Sequence, residues 1–318
     1  MSVDPADYGR VALLLGGRSA EREISLKSGR AVAEALTRLG VELTAIDPGD
    51  DVIEQLRAGG FDRAFIILHG RGGEDGCIQG ALETIGMPYT GSGVLGSAIG
   101  MDKHRTKLVW AGAGLPTAEF VLLTGAADLA AAAALGFPLM IKPANEGSSI
   151  GMARADDAAG LDAAWRAAAA YDDAVIAERW LPGDEYTCAI LGDQALPLIR
   201  LETPNAFYDF EAKYQSDSTR YLCPCGLPDD LEAEFRALCK RAFATVGGSG
   251  WGRVDFMLDG DGRPVLLEVN TVPGMTDHSL VPMAARVAGM DFDALVLRIL
   301  ETSRRGPARG PREGSGGA

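Results

Sequence analysis

The sequence predicts an α/β protein, with a parallel-sheet domain at the N-terminus and two α+β lobes after it. Three observations carry that expectation. Over residues 11–68, short apolar runs alternate with helical patterns, as parallel strands joined by crossover helices require. From residue 120 onward, strands and helices alternate around loops of glycine and other small residues. Finally, Asp261-Gly262 stands between two runs of alternating character, a strong hairpin signal. With 318 residues the chain is long enough for two or three packed units. The expected divisions are 1–102, 103–185 and 186–302. A tail at 303–318, rich in Gly, Pro and Arg, is expected to stay disordered.

Composition narrows the function. A net charge of -14 argues against wrapping nucleic acid or lying on an anionic membrane, so any phosphate must be met by local cations. Residues 1–10 are polar and acidic and lack the apolar core of a signal peptide. The longest apolar stretch, 129–141, is Ala-rich and broken by Gly136 and Pro138, so no membrane span is expected. Five scattered cysteines suit reduced thiols in the cytoplasm, and Cys223-Pro224-Cys225 is too tight for the usual zinc pair.

In the first unit, 11–15 reads as a buried parallel strand, and residues 16–21 turn the chain into a helix reaching about Leu39. Glu21 lies where a first-turn carboxylate stabilises a helix N-terminus; the same position could meet a ligand. A strand at 41–46, a helix at 53–58 and a strand at 64–68 follow. His69 opens the Gly-rich loop 69–76 at the carboxyl end of the last strand, where open parallel sheets bind ligands. A lone histidine is more often structural. Gly91–Gly96 matches G-x-G-x-x-G, but no full strand precedes it, so it reads as a connector rather than a dinucleotide site. A helix over 97–111 carries Lys103.

In the second unit a strand at 120–123 and an Ala-rich helix at 125–135 precede a strand at 136–142 ending on Lys142. The loop 144–151, Ala-Asn-Glu-Gly-Ser-Ser-Ile-Gly, contains Ser148. It is either a phosphate cradle served by Lys142 or an ordinary hairpin turn, and it is not a Walker loop. After a helix at 156–170, a strand at 174–178 ends on Glu178. The segment through Leu181 and Glu185 to a strand at 186–191 could read a base through backbone groups. Residues 203–221, which include Lys213 and Tyr214, are long, polar and aromatic, as lids are. A helix at 229–246 leads to the hairpin.

If Asp261-Gly262 is a two-residue turn, Asp255 faces Glu268 and Arg253 faces Asn270, all on one face of the ribbon. Val254, Phe256, Leu267 and Val269 then point into a core. Two carboxylates and an amide oxygen are ligands of the kind Mg²⁺ prefers, and Arg253 would suit an anionic group. The alternative is a solvated polar face, although like charges placed opposite each other oppose it. The loop 271–280, with Gly274, Ser279 and Leu280, continues from this face. Helices at 281–289 and 291–303 close the fold.

Several segments together resemble the D-alanine–D-alanine ligases, a family of ATP-grasp enzymes, over nearly the whole chain to about Glu301. They are Leu-Gly-Gly-Arg-Ser-Ala-Glu-Arg-Glu (14–23), Leu-His-Gly-Arg-Gly-Gly-Glu-Asp-Gly (68–76), Tyr-Thr-Gly-Ser-Gly (89–93) and Met-Asp-Lys (101–103). Glu-Gly-Ser-Ser-Ile-Gly (146–151), Phe-Tyr-Asp-Phe-Glu-Ala-Lys-Tyr (207–214), Gly-Arg-Val-Asp (252–255) and Leu-Glu-Val-Asn-Thr-Val-Pro-Gly-Met-Thr (267–276) complete the set.

The resemblance implies an ATP-grasp fold. It also implies ATP-dependent joining of two D-alanines through an acyl phosphate, for peptidoglycan precursors, by a cytoplasmic homodimer. Carried over, Asp255, Glu268 and Asn270 hold two Mg²⁺, with Mn²⁺ a possible substitute. Lys103, Lys142 and Lys213 meet phosphate, Glu178 and Leu181 the adenine, and Glu185 the ribose. Glu21 meets the first substrate's ammonium with His69 nearby, and Ser148 and Tyr214 join Glu21 in fastening the lid. Arg253 and the backbone of Gly274 stabilise the tetrahedral intermediate, while Ser279 and Leu280 hold the second carboxylate. Val269 departs from the alanine frequent in the family. Tyr214 favours an amine acceptor over D-lactate, the nearest competing reading. A non-catalytic nucleotide module or an NAD enzyme would need neither the full ligand set nor ATP turnover.

Overall fold

The run at 11–14 buries all four side chains, as a strand covered on both faces must. It forms β1 (Val11–Leu14), flanked in parallel by β2 (Leu43–Ile46) and β3 (Arg63–Ile66). Helices α1 (Arg22–Arg38) and α2 (Val52–Ala58) make the crossovers. The structure, a computed structural model, describes residues 5–203 and 219–305. After α3 (Cys77–Thr84), Tyr89 contributes a single parallel bridge to Ala64, so the stretch before Gly91 is no full strand.

The helix expected over 97–111 is two helices, α4 (Val94–Met101) and α5 (Lys103–Gly112). Asp102 divides them because its backbone is extended and its side chain accepts the Arg105 N–H, capping α5. That break sets Lys103 in the first turn of α5.

The second sheet is antiparallel, β4-β7-β5-β6. It contains β4 (Phe120–Leu123), β5 (Leu139–Pro143), β6 (Ala153–Ala155) and β7 (Val175–Arg179). α6 (Leu129–Ala133), shorter than the expected 125–135, and α7 (Ala158–Ala168) accompany it. Met140 pairs with Glu178 across β5 and β7, so Lys142, two residues on, shares a sheet face with Glu178.

The third sheet runs β11-β10-β8-β12-β13, with β9 also paired to β8. Its strands are β8 (Glu185–Leu191), β9 (Gln194–Ala195), β10 (Ile199–Glu202), β11 (Arg220–Leu222), β12 (Trp251–Leu258) and β13 (Pro264–Asn270). α8 (Asp229–Thr245) packs against it. The helices α9 (Leu280–Val287) and α10 (Phe292–Thr302) close the chain. Their Val281, Ala284, Leu295 and Ile299 belong to the same buried core as Leu13, Val32 and Leu36, so the end of the chain clasps the first sheet's layer.

Three further expectations are corrected. The β12–β13 turn spans three residues, since the Asp259 N–H bonds Arg263 O and Gly262 has φ +77°. A bulge between Asp255 and Phe256 then shifts the ladder by one residue, so the ligand end keeps the expected pairing, Asp255 with Glu268 and Arg253 with Asn270. The leucine that enters the core is therefore Leu266, not Leu267. It is held there because its N–H donates to Pro116 O. The stretch expected to be disordered from residue 303 is structured over its first three residues. Ser303–Arg305 form a turn in which buried Ser303 accepts from Arg63 and donates to Leu300 O.

Candidate active site

β12 and β13 present Arg253, Asp255, Glu268 and Asn270 on one face, next to β8. Asp255 is buried and heavily used. It accepts Nε and NH2 of Arg253 at 2.8 and 2.7 Å, Asn270 Nδ2 at 3.0 Å, and the Thr187 hydroxyl from β8 at 2.5 Å. Because Asn270 spends its amide nitrogen on Asp255, its carbonyl oxygen is the atom left for a ligand. Two carboxylates and that oxygen make the all-oxygen set that suits a hard divalent cation.

Cations already answer the carboxylates. Lys103 Nζ lies 3.1 Å from Glu268 Oε2 and donates to Glu146 O at 2.7 Å. Burial works against the Lys103 charge, but Glu268 and then Glu21 and Glu74 outweigh it and raise its pKa. Lys103 thus ties the hairpin to the 144–151 loop.

That loop carries backbone strain where it meets α1. Ser148 and Ser149 are both left-handed, with φ of 54° and 58°. The Ser148 hydroxyl donates to Glu21 Oε1 at 2.5 Å. Glu21 is the N-cap residue of α1, yet its side chain makes no capping bond; it faces the 144–151 loop instead. Glycine is needed on both sides, since a Cβ on Gly147 would stand 2.7 Å from Glu21 Oε2, and one on Gly70 2.9 Å away. His69 is buried beside this niche, and among the described residues neither ring nitrogen has a side-chain hydrogen-bond partner. Burial, with a smaller push from Arg253, lowers its pKa to about 4, so the imidazole is neutral at physiological pH.

At the other end, Glu178 is buried between two lysines. Lys107 Nζ is 2.9 Å from Oε2, and Lys142 pairs with Oε1. Burial alone would raise the Glu178 pKa, but the two lysine charges override it and bring it to about 2. Leu181 and Glu185 follow at the β7–β8 connection, where Gly183 packs so closely on Leu258 that a Cβ would be 2.4 Å from its carbonyl oxygen.

The 271–279 loop completes the group. Ser279 precedes α9, its Oγ accepts the Thr276 N–H at 2.9 Å, and a Cβ on Gly274 would stand 3.0 Å from that Oγ. Gly274, Ser279 and Leu280 are thereby gathered at a helix N-terminus, the end that favours anions. Lys213 and Tyr214 lie outside the described residues.

Similarity to known proteins identifies the family. Residues 109–301 match the model of the D-ala D-ala ligase C-terminus, and residues 49–92 that of the N-terminus. The chain belongs to the D-alanine–D-alanine ligase family. It is 62% identical to a D-alanine–D-alanine ligase of Alkalilimnicola ehrlichii, over 98% of this chain and 99% of the relative. It is 60% identical to that of Nitrosococcus oceani, over 95% and 96%. A ligase from Bacillus anthracis complexed with ATP has a TM-score of 0.81 and 32% identity, covering 93% of this chain and 97% of that one. The architecture is accordingly the ATP-grasp fold of these ligases.

Sequence reading missed three residues that the fold brings to this candidate site. Glu74 accepts the Gly70 N–H at 2.7 Å and the Val272 N–H at 3.0 Å, joining the His69 and Gly274 loops. Burial and then Glu21 push its pKa up to about 8. Thr187 reaches Asp255 only through strand pairing, which nothing in local sequence announces. Lys107 stands four residues after Lys103 on one helix, a spacing that was readable.

Proposed function

We propose that this protein is an ATP-dependent ligase that joins two D-alanines into D-alanyl-D-alanine, releasing ADP and phosphate. The observation that carries the reading is the clustering of Asp255, Glu268, Asn270, Arg253 and Lys103 beside the Glu21–Ser148 contact. Phosphoryl transfer needs positioning and charge neutralisation more than a protein nucleophile. The carboxylate of the first D-alanine becomes an acyl phosphate, and the amine of the second attacks it.

Glu21 receives the first substrate's ammonium, and neutral His69 beside it adds no competing positive charge. Lys103 and Lys142 meet the phosphates. Glu178 and the Leu181 backbone bind the adenine, and Glu185 the ribose. Arg253 and the Gly274 N–H face the oxyanion of the tetrahedral intermediate, where preorganised donors act most strongly. Ser279 and Leu280 hold the second carboxylate at the start of α9. Asp255, Glu268 and Asn270 would hold Mg²⁺, or Mn²⁺ in its place; the metal neutralises phosphate charge when bound. Lys213 and Tyr214 would serve the lid that keeps water from the acyl phosphate.

The same reading assigns Glu21 and His69 to a unit at 1–102, the nucleotide lysines to 103–185 and the hairpin to 186–302. Its support is that each range holds one of the three sheets. Relatives named for D-alanine at about 60% identity favour it over D-lactate as acceptor. A cytoplasmic homodimer belongs to the same proposal and rests on family membership; sedimentation velocity tests the dimer.

The deciding experiment is phosphate release from ATP and Mg²⁺ with D-alanine, L-alanine or no amino acid. D-alanine-dependent release with dipeptide formed is expected. Equal release with L-alanine, or none with any amino acid, overturns the proposal.

A further inference from the structure

The Glu178 cluster holds one cation more than its carboxylate needs. Side-chain exposure is 0% for Lys107, 5% for Lys142 and 4% for Glu178. A buried ammonium without a counter-charge is costly, so a surplus lysine needs a reason. The two lysines approach from different elements. Lys142 lies on β5, on the same sheet face as Glu178. Lys107 reaches the other carboxylate oxygen from α5 and is fixed independently. It donates to Thr117 Oγ1 at 2.6 Å, and its Nζ sits 5.5 Å from the Phe120 ring centroid.

α5 therefore serves both ends of the site. Lys103 in its first turn holds Glu268 on the hairpin, and Lys107, one turn later, holds Glu178 on the second sheet. Thr117, the second partner of Lys107, bridges to Leu266 of β13. Lys107 is thereby braced against both the second sheet and β13.

We propose that Lys107 is a positioning residue for base selection: it keeps Glu178 charged and aimed when Lys142 leaves that carboxylate for a phosphate of the nucleotide. Glu178 can then accept from the exocyclic amine of a 6-aminopurine, whereas a 6-oxopurine presents an acceptor to the carboxylate and is rejected. This deepens the proposed function and rests on Glu178 meeting the adenine. The two lysines then divide two tasks, Lys142 following the phosphate and Lys107 remaining with the carboxylate.

The test compares Lys107→Gln, Glu178→Asp and the unaltered protein. The readouts are turnover with ATP and with inosine triphosphate, and calorimetric binding of ADP and inosine diphosphate. For Lys107→Gln, the preference for the aminopurine should fall roughly tenfold or more, while KM for D-alanine stays within about twofold. A purely structural role would lower activity with both nucleotides alike. Unchanged preference in Lys107→Gln, with altered preference in Glu178→Asp, overturns the role of Lys107 alone. Unchanged preference in Glu178→Asp overturns the adenine assignment and this inference with it. If Lys107→Gln does not fold, Thr117→Val removes its neutral partner, and a smaller loss of preference in the same direction is expected. An unchanged preference there overturns the inference.

Discussion

Glu21 illustrates how a side chain is recruited away from its local role. Its sequence position suits a helix-stabilising carboxylate, yet the fold presses the 144–151 loop against it until only glycine fits at 147. Gly147→Ala should therefore displace the carboxylate rather than unfold the loop, because the clash falls on the far end of a side chain. Steady-state kinetics should show about 10- to 100-fold lower kcat/KM for D-alanine, with the thermal midpoint little changed. Glu268→Ala should abolish turnover, on the order of 10³-fold or more, with circular dichroism unaltered. Near-normal activity with Mg²⁺ would remove Glu268 from the metal set. The shared face of the two carboxylates and Asn270 was legible from alternation, although the turn proved one residue longer and a bulge brings the register back. Thr187 and Glu74 were not, because Asp255 and Val272, the partners that join them to the hairpin and its following loop, lie far away in sequence.

The clearest energetic consequence at the scale of elements belongs to α5 and the second sheet. Glu178 has a folded pKa of about 2 against an ordinary 4.5. A depressed carboxylate pKa contributes stability that is complete above pH 4.5 and lost as pH falls toward 2. The contribution is on the order of 3 kcal/mol. Urea unfolding followed across that range should show the loss, and Glu178→Gln should flatten it. Glu178→Gln should also destabilise the protein at pH 7 by about 3–5 kcal/mol, since two buried lysines lose their counter-charge. The strand–helix alternation of the first unit was readable from apolar runs. The split at Asp102 was not, because both helices carry continuous helix-compatible sequence and only the cap divides them.

For the molecule as a whole, the candidate site lies where loops of the three sheets meet. Arg71 from the first unit lies 3.1 Å from Glu146 in the second, and Glu74 receives the Val272 N–H beside the third. Glu74→Ala would leave two N–H groups without their acceptor, at about 1–3 kcal/mol each where they stay buried. Hydrogen exchange should rise at Gly70 and Val272 together, and activity should fall with it. Protection unchanged at Val272 would show that the loops are held by other means. Sequence motifs foretold the architecture, whereas the packing of α10 on α1 was not foreseen, since amphipathic helices do not name the face they cover.

The bulge in the β12–β13 hairpin also bears on how this chain can change over time. The same residues could pair through a two-residue turn without a bulge, and Asp255 would still face Glu268. Only the tip and the choice between Leu266 and Leu267 would differ, a choice made by the Pro116 carbonyl. The base of the ribbon is thereby insulated from its tip. Substitutions across 259–263 can drift, and even re-register the end of the hairpin, while the chemistry at 253–255 and 268–270 inherits an unaltered geometry.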